Sequence, residues 1–219
     1  MIRWYNVSII SIKGMKYMRK LEKLGLVVDV ETTGLGPTTD EVIELALKLF
    51  SYRTDTGEIQ EIIEEDSFLR EPLTSSARRN YERAYQIHGI PYELVEGKSF
   101  TDIKIKTYFH RADSVFAHNA SFDRSFLYHM YPEVNDLKWY CTMRGVKWKN
   151  YGFPNGKLLT LLQAHQITNH QTHRALDDIT YLLDLLKKTS PNGNLYLQEV
   201  LENGPMRKYQ PAATRTRLG

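Results

Sequence analysis

The stretch VVDVETTGLG, residues 27–36, places two carboxylates near the end of the most hydrophobic strand that the sequence predicts. Successive side chains of a strand point to opposite faces, so Asp29 and Glu31 emerge on the same side of the sheet. Two like charges in a buried strand are costly unless a cation or hydrogen-bond donors compensate them. The alternative is a strand end at which both carboxylates reach water, and only partners elsewhere in the chain separate the two interpretations.

The composition is that of a chain that can form one folded domain. Its 219 residues are 42% hydrophobic, which supplies enough apolar surface for a core and argues against disorder of the whole chain. Cys141 is the only cysteine, which excludes an intramolecular disulfide framework and a cysteine-rich zinc site. The apolar run VSIISI, residues 7–12, is far below the ~20 residues that span a bilayer, and no signal peptide is recognised. We therefore expect no membrane anchor and a reducing, cytoplasmic location.

The net charge of +3 conceals basic ends around an acidic body. Residues 1–23 carry +5 and residues 205–219 carry +4, which leaves −6 for the body of the chain. An acidic body suits a protein that concentrates divalent cations, and basic ends suit an approach to phosphates, although ordinary solvated tails have the same composition. We expect a basic N-terminal extension over residues 1–23, a domain over 24–190, and a C-terminal segment over 191–219 with a flexible basic end.

Hydrophobic patterning predicts an antiparallel meander at the start of the domain, with strands over residues 24–30, 41–52 and 61–70. Helices and short strands then alternate; the helices are expected over 76–89, 100–112, 120–131, 157–166 and 173–188, and the strands over 113–119 and 139–143. The turn Ser190-Pro191-Asn192-Gly193 is expected to end the regular structure, with only residues 194–203 able to pack after it. This order predicts an α/β fold with a mixed sheet flanked by helices.

One acid falls on the apolar side of the helix predicted within AHNASFDRSFLYHM, residues 117–130. Asn119 is expected to cap this helix at its N-terminus. At ~100° per residue, Asp123 lies within the apolar arc of the helix. The apolar members of that arc are Phe122, Phe126, Leu127 and Met130. A carboxylate there gains from the helix dipole but still requires a cation or donors.

The last helix, predicted within THRALDDITYLLDLLKK at residues 172–188, carries two adjacent aspartates with different surroundings. Asp178 projects into the apolar arc, whereas Asp177 projects to the wet side. His173 precedes this helix in the polar segment NHQTH, where it either reaches a neighbouring site or lies in solvent.

Four inward carboxylates, Asp29, Glu31, Asp123 and Asp178, are thus expected on three elements, with His173 near them. Their mutual repulsion requires cations, and an oxygen-rich set favours Mg²⁺ or Mn²⁺ over zinc, which prefers nitrogen and sulfur. Two such ions ~4 Å apart are a common arrangement for the attack of water on a phosphodiester. The sequence therefore predicts a site for two metal ions, Mg²⁺ or Mn²⁺, that hydrolyses phosphodiesters.

Three segments, VVDVETTG, AHNASFD and HRALDD, resemble in order the motifs of the DEDDh (DnaQ-like) 3′–5′ exonucleases. That family includes the epsilon proofreading subunit of DNA polymerase III and ribonuclease T. The segment IHGI, residues 87–90, resembles the lining of the terminal-nucleotide pocket in the same family. The resemblance covers most of residues 24–190 and implies a ribonuclease H-like mixed β-sheet flanked by α-helices. It also implies release of nucleoside 5′-monophosphates from the 3′ ends of single-stranded nucleic acid.

The resemblance implies a role for each matching residue. Asp29, Glu31 and Asp178 match the metal-binding carboxylates, with Asp29 bridging both ions. Asp123 matches the fourth carboxylate, which often acts through water. His173 matches the general base, a role that an unperturbed imidazole pKa near neutrality suits. The residues expected to contact substrate are Thr32, Thr33, Leu35, His88, Asn119 and Phe122.

Two alternatives stay open from the sequence. A non-cleaving nucleic-acid-binding or scaffold module would have no need of clustered acids and a histidine, and this chain carries all five. Within the enzyme class, the motifs do not separate DNA proofreading or repair from RNA trimming. We expect single-stranded DNA as substrate, and a polymerase or another nucleic-acid-processing complex as the candidate partner.

Overall fold

The computed structural model describes residues 21–211, whose strands form a single sheet. The strands are β1 (Glu22–Thr32), β2 (Val42–Arg53), β3 (Ile59–Leu69), β4 (Ser114–Ala117) and β5 (Lys138–Cys141). Their order across the sheet is β3-β2-β1-β4-β5. β1, β2 and β3 pair antiparallel, whereas β4 is parallel to both β1 and β5. The predicted antiparallel meander followed by parallel strands is confirmed.

The helices cover both faces of this sheet. They are α1 (Ser75–His88), α2 (Tyr92–Val95), α3 (Asp102–Arg111), α4 (Ser121–Met130), α5 (Thr142–Gly145), α6 (Leu158–Ala164), α7 (Ala175–Leu186) and α8 (Tyr196–Glu202), with 3₁₀ turns at Pro132–Asp136 and Trp148–Tyr151. The five helices predicted from the sequence correspond to α1, α3, α4, α6 and α7. Within residues 21–211, no helix is both long enough and apolar enough to cross a membrane.

Alternation along β1 divides the core into two layers. Leu26 and Val28 pack with residues of α3 and α4 on one face of the sheet, whereas Val27 packs with residues of α6, α7 and α8 on the other. Because side chains alternate with period two, Asp29 and Glu31 continue the row of Val27 toward the face that α7 covers. The central strand β1 therefore places two acids near the N-terminal end of α7.

The expectation that the turn at residues 190–193 ends the regular structure was wrong. Ser190 N–H donates to the Asn194 carbonyl at 2.8 Å, so the turn reverses the chain and leads into α8. Tyr196 and Leu197 of α8 are buried in the same core layer as α7. The expectation that residues 194–203 can pack is confirmed, but seven helical residues are too few to show the period that predicts a helix. At the other end, β1 begins at Glu22, two residues before the domain start expected at 24.

Beyond α8 the chain runs along the outer strand of the sheet. Met206 N–H donates to the Trp139 carbonyl at 2.7 Å, and Arg124 donates from Nη1 to the Arg207 carbonyl at 2.8 Å. Residues up to Tyr209 are therefore attached to β5, α4 and the 3₁₀ turn that follows α4. The basic extension expected over residues 1–23 falls almost wholly within residues 1–20, which lie outside the described residues. The tip of the expected flexible basic end falls within residues 212–219, which also lie outside them.

Candidate active site

The site lies where β1 extends beyond the end of β4, its parallel neighbour. Pairing between β1 and β4 ends at Val27 and Phe116, but β1 continues to Thr32. On the other side, the register with β2 shifts by one residue just after Glu31, which is a β-bulge. Bulges bend a strand and re-aim its side chains, and they are frequent beside active sites. Ligands of open α/β sheets also bind at the carboxyl ends of strands, which is the end where these acids lie.

Asp123 reaches this end of the sheet from the first turn of α4 and is buried. Burial raises its pKa to about 7, although the backbone amides of Asp123 itself and of Val30 act in the opposite direction. The Val30 amide links Asp123 to β1, beyond the last residue of β1 that pairs with β4. The fourth predicted carboxylate therefore stands beside the strand that carries the first two.

The expectation that Asn119 caps α4 with its side chain was wrong. Asn119 adopts a left-handed backbone conformation, with φ of 70°, and its carbonyl accepts the Phe122 N–H at 2.8 Å. The N-cap residue is Ala120, which makes no side-chain cap. The chain turns sharply as it leaves β4, and Asn is one of the few residue types that tolerate such a turn. Asn119 thus serves the turn through its backbone.

His173 and Asp178 bring the distant end of the chain to the acids of β1. The metal-ligating atoms of Glu31, His173 and Asp178 all lie within 4.8 Å of one another. Asp178 is buried, whereas Asp177 next to it is exposed, so the predicted difference between the two aspartates is confirmed. Helix α7 thereby places one acid of the pair in the cluster and leaves the other in solvent.

Burial and mutual repulsion raise the pKa values of these carboxylates. Burial raises the pKa of Asp29 well above its ordinary value, and the charges of Asp123, Glu31 and Asp178 raise it further. Burial, followed by the charge of Asp178, raises the pKa of Glu31 to about 9. Burial also raises the pKa of Asp178 to about 6. A proton or a metal cation is therefore needed to neutralise the cluster.

The donor set fits a hard divalent cation. Asp178 accepts a hydrogen bond from Gln171 at Oδ2, but its Oδ1 is buried without a hydrogen-bond partner among the described residues. A buried acceptor that lacks a donor is unfavourable, and a cation satisfies it. Glu31 offers oxygen, the ligand atom that Mg²⁺ and Mn²⁺ prefer, and His173 offers a nitrogen, whereas Asp29 and Asp123 are not part of the group of ligand atoms within 4.8 Å of one another.

A fifth acid adjoins this cluster, and the sequence analysis did not identify it. Glu44 on β2 pairs with Glu31 across the strands and is fully buried. Its charge contributes to the raised pKa values of Asp29, Glu31 and Asp178. The available signal was one acid within the apolar run VIELALKLF, residues 42–50. Only the β1–β2 register shows that this acid faces Glu31.

A cavity of about 470 Å³ opens beside Glu31 and has the size of a small-molecule site, roughly 300 to 1,000 Å³. Five of the six predicted substrate contacts line it, namely Thr32, Thr33, Leu35, His88 and Phe122. The sixth, Asn119, is exposed in its turn and does not line this cavity. The lining also includes Ile87 of the segment IHGI, as the resemblance implied, and three residues that the sequence did not indicate: Asp40, Asn80 and Arg83.

The polar wall of this cavity is held by hydrogen bonds between a loop and a helix. Asp40 accepts from the Gly36 N–H at 2.9 Å and from Asn80 Nδ2 of α1 at 2.9 Å. His88 at the end of α1 accepts the Ile90 N–H at Nδ1, 3.0 Å, and burial lowers the pKa of His88 to about 4. His88 is therefore neutral at pH 7, and its proton lies on Nε2, which is buried without a partner among the described residues.

Together, the fold and the site define an α/β protein with clustered carboxylates and a histidine beside a cavity at the ends of its strands. A family model described as exonuclease, RNase_T, matches residues 26–186 of the chain. The chain belongs to this family, the DnaQ-like 3′–5′ exonucleases, and the predicted family is confirmed.

Curated relatives are much longer than this chain. Over 158 residues the chain is 31% identical to the PolC-type DNA polymerase III of Listeria welshimeri, which covers 69% of the chain and 10% of that protein. Over 201 residues it is 29% identical to the PolC-type DNA polymerase III of Bacillus subtilis, which covers 86% of the chain and 13% of that protein. The chain thus spans about a tenth of the length of the curated relatives it matches.

Solved structures share the fold at low sequence identity. E. coli exonuclease I in complex with a dT13 oligonucleotide superposes with a TM-score of 0.58 at 16% identity, over 76% of this chain and 41% of that chain. A 3′-exonuclease that recognises the histone mRNA stem-loop superposes with a TM-score of 0.54 at 16% identity, over 74% and 79%. The predicted ribonuclease H-like mixed sheet is confirmed.

Proposed function

We propose that this chain is a metal-dependent 3′–5′ exonuclease of the DEDDh type, which removes nucleoside 5′-monophosphates from the 3′ ends of single-stranded DNA. The observation that carries the proposal is the approach of ligand atoms from Glu31, His173 and Asp178 to within 4.8 Å. Glu31 also lines the adjoining cavity, so a nucleotide held there has its phosphate next to the cluster. A binding module without chemistry has no need of this arrangement.

In the proposed mechanism, Asp29, Glu31, Asp123 and Asp178 hold two Mg²⁺ or Mn²⁺ ions. When bound, such ions lower the pKa of water and stabilise charge on the attacking and leaving oxygens. His173 accepts the proton of the attacking water, since it lies within reach of the carboxylates and is partly exposed.

The cavity is proposed to hold the terminal nucleotide. Leu35 is 82% exposed at its edge and Ile87 is 63% exposed, so both side chains leave apolar surface open to a ligand. These side chains and Phe122 offer apolar surface to a base, and stacking or apolar contact with a base is tolerant of sequence. His88 supplies a neutral N–H donor for a nucleotide oxygen, and its pKa of about 4 keeps it neutral across the physiological range.

DNA is proposed as the substrate because the curated relatives are DNA polymerases. A polymerase, or another nucleic-acid-processing complex, is the proposed partner for the same reason. RNA trimming is the competing activity within the family, because the neighbour with a TM-score of 0.54 recognises a histone mRNA stem-loop.

The test is digestion of 5′-labelled DNA and RNA oligonucleotides of identical sequence by the full chain. We expect a ladder of DNA products that shorten by single nucleotides with Mg²⁺ or Mn²⁺, no products with a chelator, and protection by a blocked 3′ terminus. Circular single-stranded DNA should remain intact.

Three outcomes contradict the proposal. Cleavage of the circle at the rate of the linear strand excludes an exonuclease. RNA digestion more than tenfold faster than DNA digestion moves the assignment to RNA trimming. Binding of both the DNA and the RNA oligonucleotide, without metal and without cleavage, supports a non-cleaving binding module instead.

A further inference from the structure

Glu44 differs from the other acids at this end of the sheet because donors surround it. Arg174 donates from Nη2 to Oε1 at 2.8 Å and from Nε to Oε2 at 3.2 Å. The Ala175 N–H donates to Oε2 at 3.1 Å, and Ser67 Oγ donates to Oε1 at 2.9 Å. Both carboxylate oxygens are thus occupied. Glu44 holds the start of α7 and the residue before it, and does not serve as a further open metal ligand.

His173, the proposed general base, directly precedes this attachment and has an unfavourable backbone. Its φ is 52°, a left-handed conformation that is strained in a residue other than glycine. Such a conformation persists only where its surroundings hold it. On one side, Thr172 donates from Oγ1 to Asp177 Oδ2 at 2.8 Å. On the other side, hydrogen bonds from Arg174 and Ala175 to Glu44 hold the backbone that follows His173.

We infer that Glu44 and Arg174 are positioning residues that hold the backbone of His173 in its left-handed conformation and so keep the imidazole beside Glu31 and Asp178. The pair carries no net charge, so it fixes the loop without adding a cation that competes with metal. The inference rests on the proposed function only in giving His173 its catalytic role. The attachment itself is a property of the fold.

The variant that tests it is Arg174→Met, which keeps much of the side-chain length and removes the three side-chain hydrogen bonds to Glu44. The Arg174 side chain is 39% exposed, but that of Glu44 is 1% exposed, so Arg174→Met leaves a buried carboxylate with only the Ser67 and Ala175 donors, and thermal unfolding must show that the variant is folded. Lys48→Met is the matched control, because Lys48 joins β2 to the same helix by a 2.7 Å hydrogen bond to Thr180, six residues beyond Arg174. Each variant removes a charged side chain that links β2 to the α7 region, but only the Arg174 link adjoins His173.

We expect Arg174→Met to slow single-turnover cleavage by about 10- to 100-fold, since a displacement of ~1 Å at a reacting group can cost 100-fold. Oligonucleotide affinity should stay within about threefold, and Lys48→Met should cleave at nearly the wild-type rate. In a His173→Ala background, adding Arg174→Met should produce no further loss, because the pair acts through His173. Independent losses that multiply would overturn the inference.

A second variant separates position from charge. Glu44→Gln combined with Arg174→Met removes both charges, so the local net charge is that of the wild type while the attachment is weakened. We expect this double variant to remain slow. Recovery of the wild-type rate would show that Arg174 acts only by compensating Glu44, and would overturn a positioning role.

Hydrogen exchange tests the attachment without any activity. The backbone amides of residues 171–175 should exchange faster in Arg174→Met than in the wild type or in Lys48→Met. Unchanged exchange at these amides would overturn the inference. If the wild type cleaves no substrate, the proposed function fails, yet the exchange measurement still decides whether the pair holds this segment.

Discussion

Strands β1 and β3 belong to the same sheet and both carry closely spaced acids, but the chain surrounds the two sets differently. On β3, Glu65 pairs with Lys48 at 2.6 Å and Asp66 pairs with Lys104 at 2.6 Å. Asp66 also accepts a hydrogen bond from Tyr108 of α3. These acids are compensated by the protein itself and join the sheet to its helices.

The acids of β1 have the opposite environment. Among residues 21–211, no lysine or arginine forms an ion pair with Asp29 or Glu31; Arg174 lies near enough to lower the pKa of Glu31 but is bonded to Glu44, and the other charged neighbours include Asp123 and Asp178. Like charges that the fold keeps together must be neutralised from outside, by protons or by metal ions. Comparison of the strands shows that missing cationic partners, rather than the density of acids, mark the candidate site.

The largest expected effect comes from removing one ligand of the cluster. Asp178→Asn should abolish metal-dependent turnover, because it removes a buried charged ligand whose Oδ1 has no other partner among the described residues. The matched control is Asp177→Asn, which changes an exposed neighbour, keeps an oxygen that accepts from Thr172 Oγ1, and should alter stability by no more than ~0.5 kcal/mol. Single-turnover cleavage beside Mn²⁺ titration checks both. Activity lost in the Asp177 variant and kept in the Asp178 variant would reverse the assignment.

The next effect concerns the proposed base. His173→Ala should slow the chemical step by about 100- to 10,000-fold, the usual loss for a general base, while Mn²⁺ affinity changes far less. His170→Ala is the control within the same loop, since His170 is exposed. Rapid-quench kinetics and isothermal titration separate the two quantities. A His173 variant that cleaves at the wild-type rate would contradict the assigned role.

A smaller effect should appear in the stability of the metal-free protein. The pKa of Glu31 is about 9 instead of 4.5, so the folded state binds its proton more tightly than the unfolded state does. Stability is therefore full below about pH 4.5 and declines as the pH rises toward 9. Glu31→Gln removes this decline, and we expect it to stabilise the metal-free protein at pH 8.5 by ~1 kcal/mol or more, or about 2–4 °C.

Thermal unfolding with a chelator at pH 5 and pH 8.5 checks this expectation. The gain from Glu31→Gln should be smaller at pH 5 than at pH 8.5. Saturating Mn²⁺ should stabilise the wild type more than the variant, because the ions replace protons on the carboxylates. A variant that unfolds earlier than the wild type at pH 8.5 would show that the β1 acids are compensated in some other way.

The smallest effect is expected on β3. Asp66→Asn weakens an ion pair with Lys104, whose side chain is 45% exposed, and such pairs contribute about 0–1 kcal/mol. We expect a slight fall in melting temperature, no gain at pH 8.5, and unchanged cleavage. Parallel unfolding and cleavage measurements on Asp66→Asn and Glu31→Gln compare the two strands directly. A gain in stability from Asp66→Asn would remove the contrast between them.

Much of the fold and of the site was predictable because local periodicity determines which side chains share a face. The two-residue period of a strand puts Asp29 and Glu31 on one face, and the helical period separates Asp178 from Asp177. Asn119 shows where such reasoning fails. Its residue type suits both a helix cap and a left-handed turn, and only the path of the chain from β4 into α4 chose the turn.

By itself, the sequence determined the mixed α/β fold, the family and the inward direction of four acids, because each depends on residues close together in the chain. Tertiary structure alone decided which distant groups meet. The β1–β2 register set Glu44 opposite Glu31, and the packing of α7 brought Arg174 to Glu44 and His173 to the cluster. Contacts across more than 100 residues depend on register and packing, which no local period encodes.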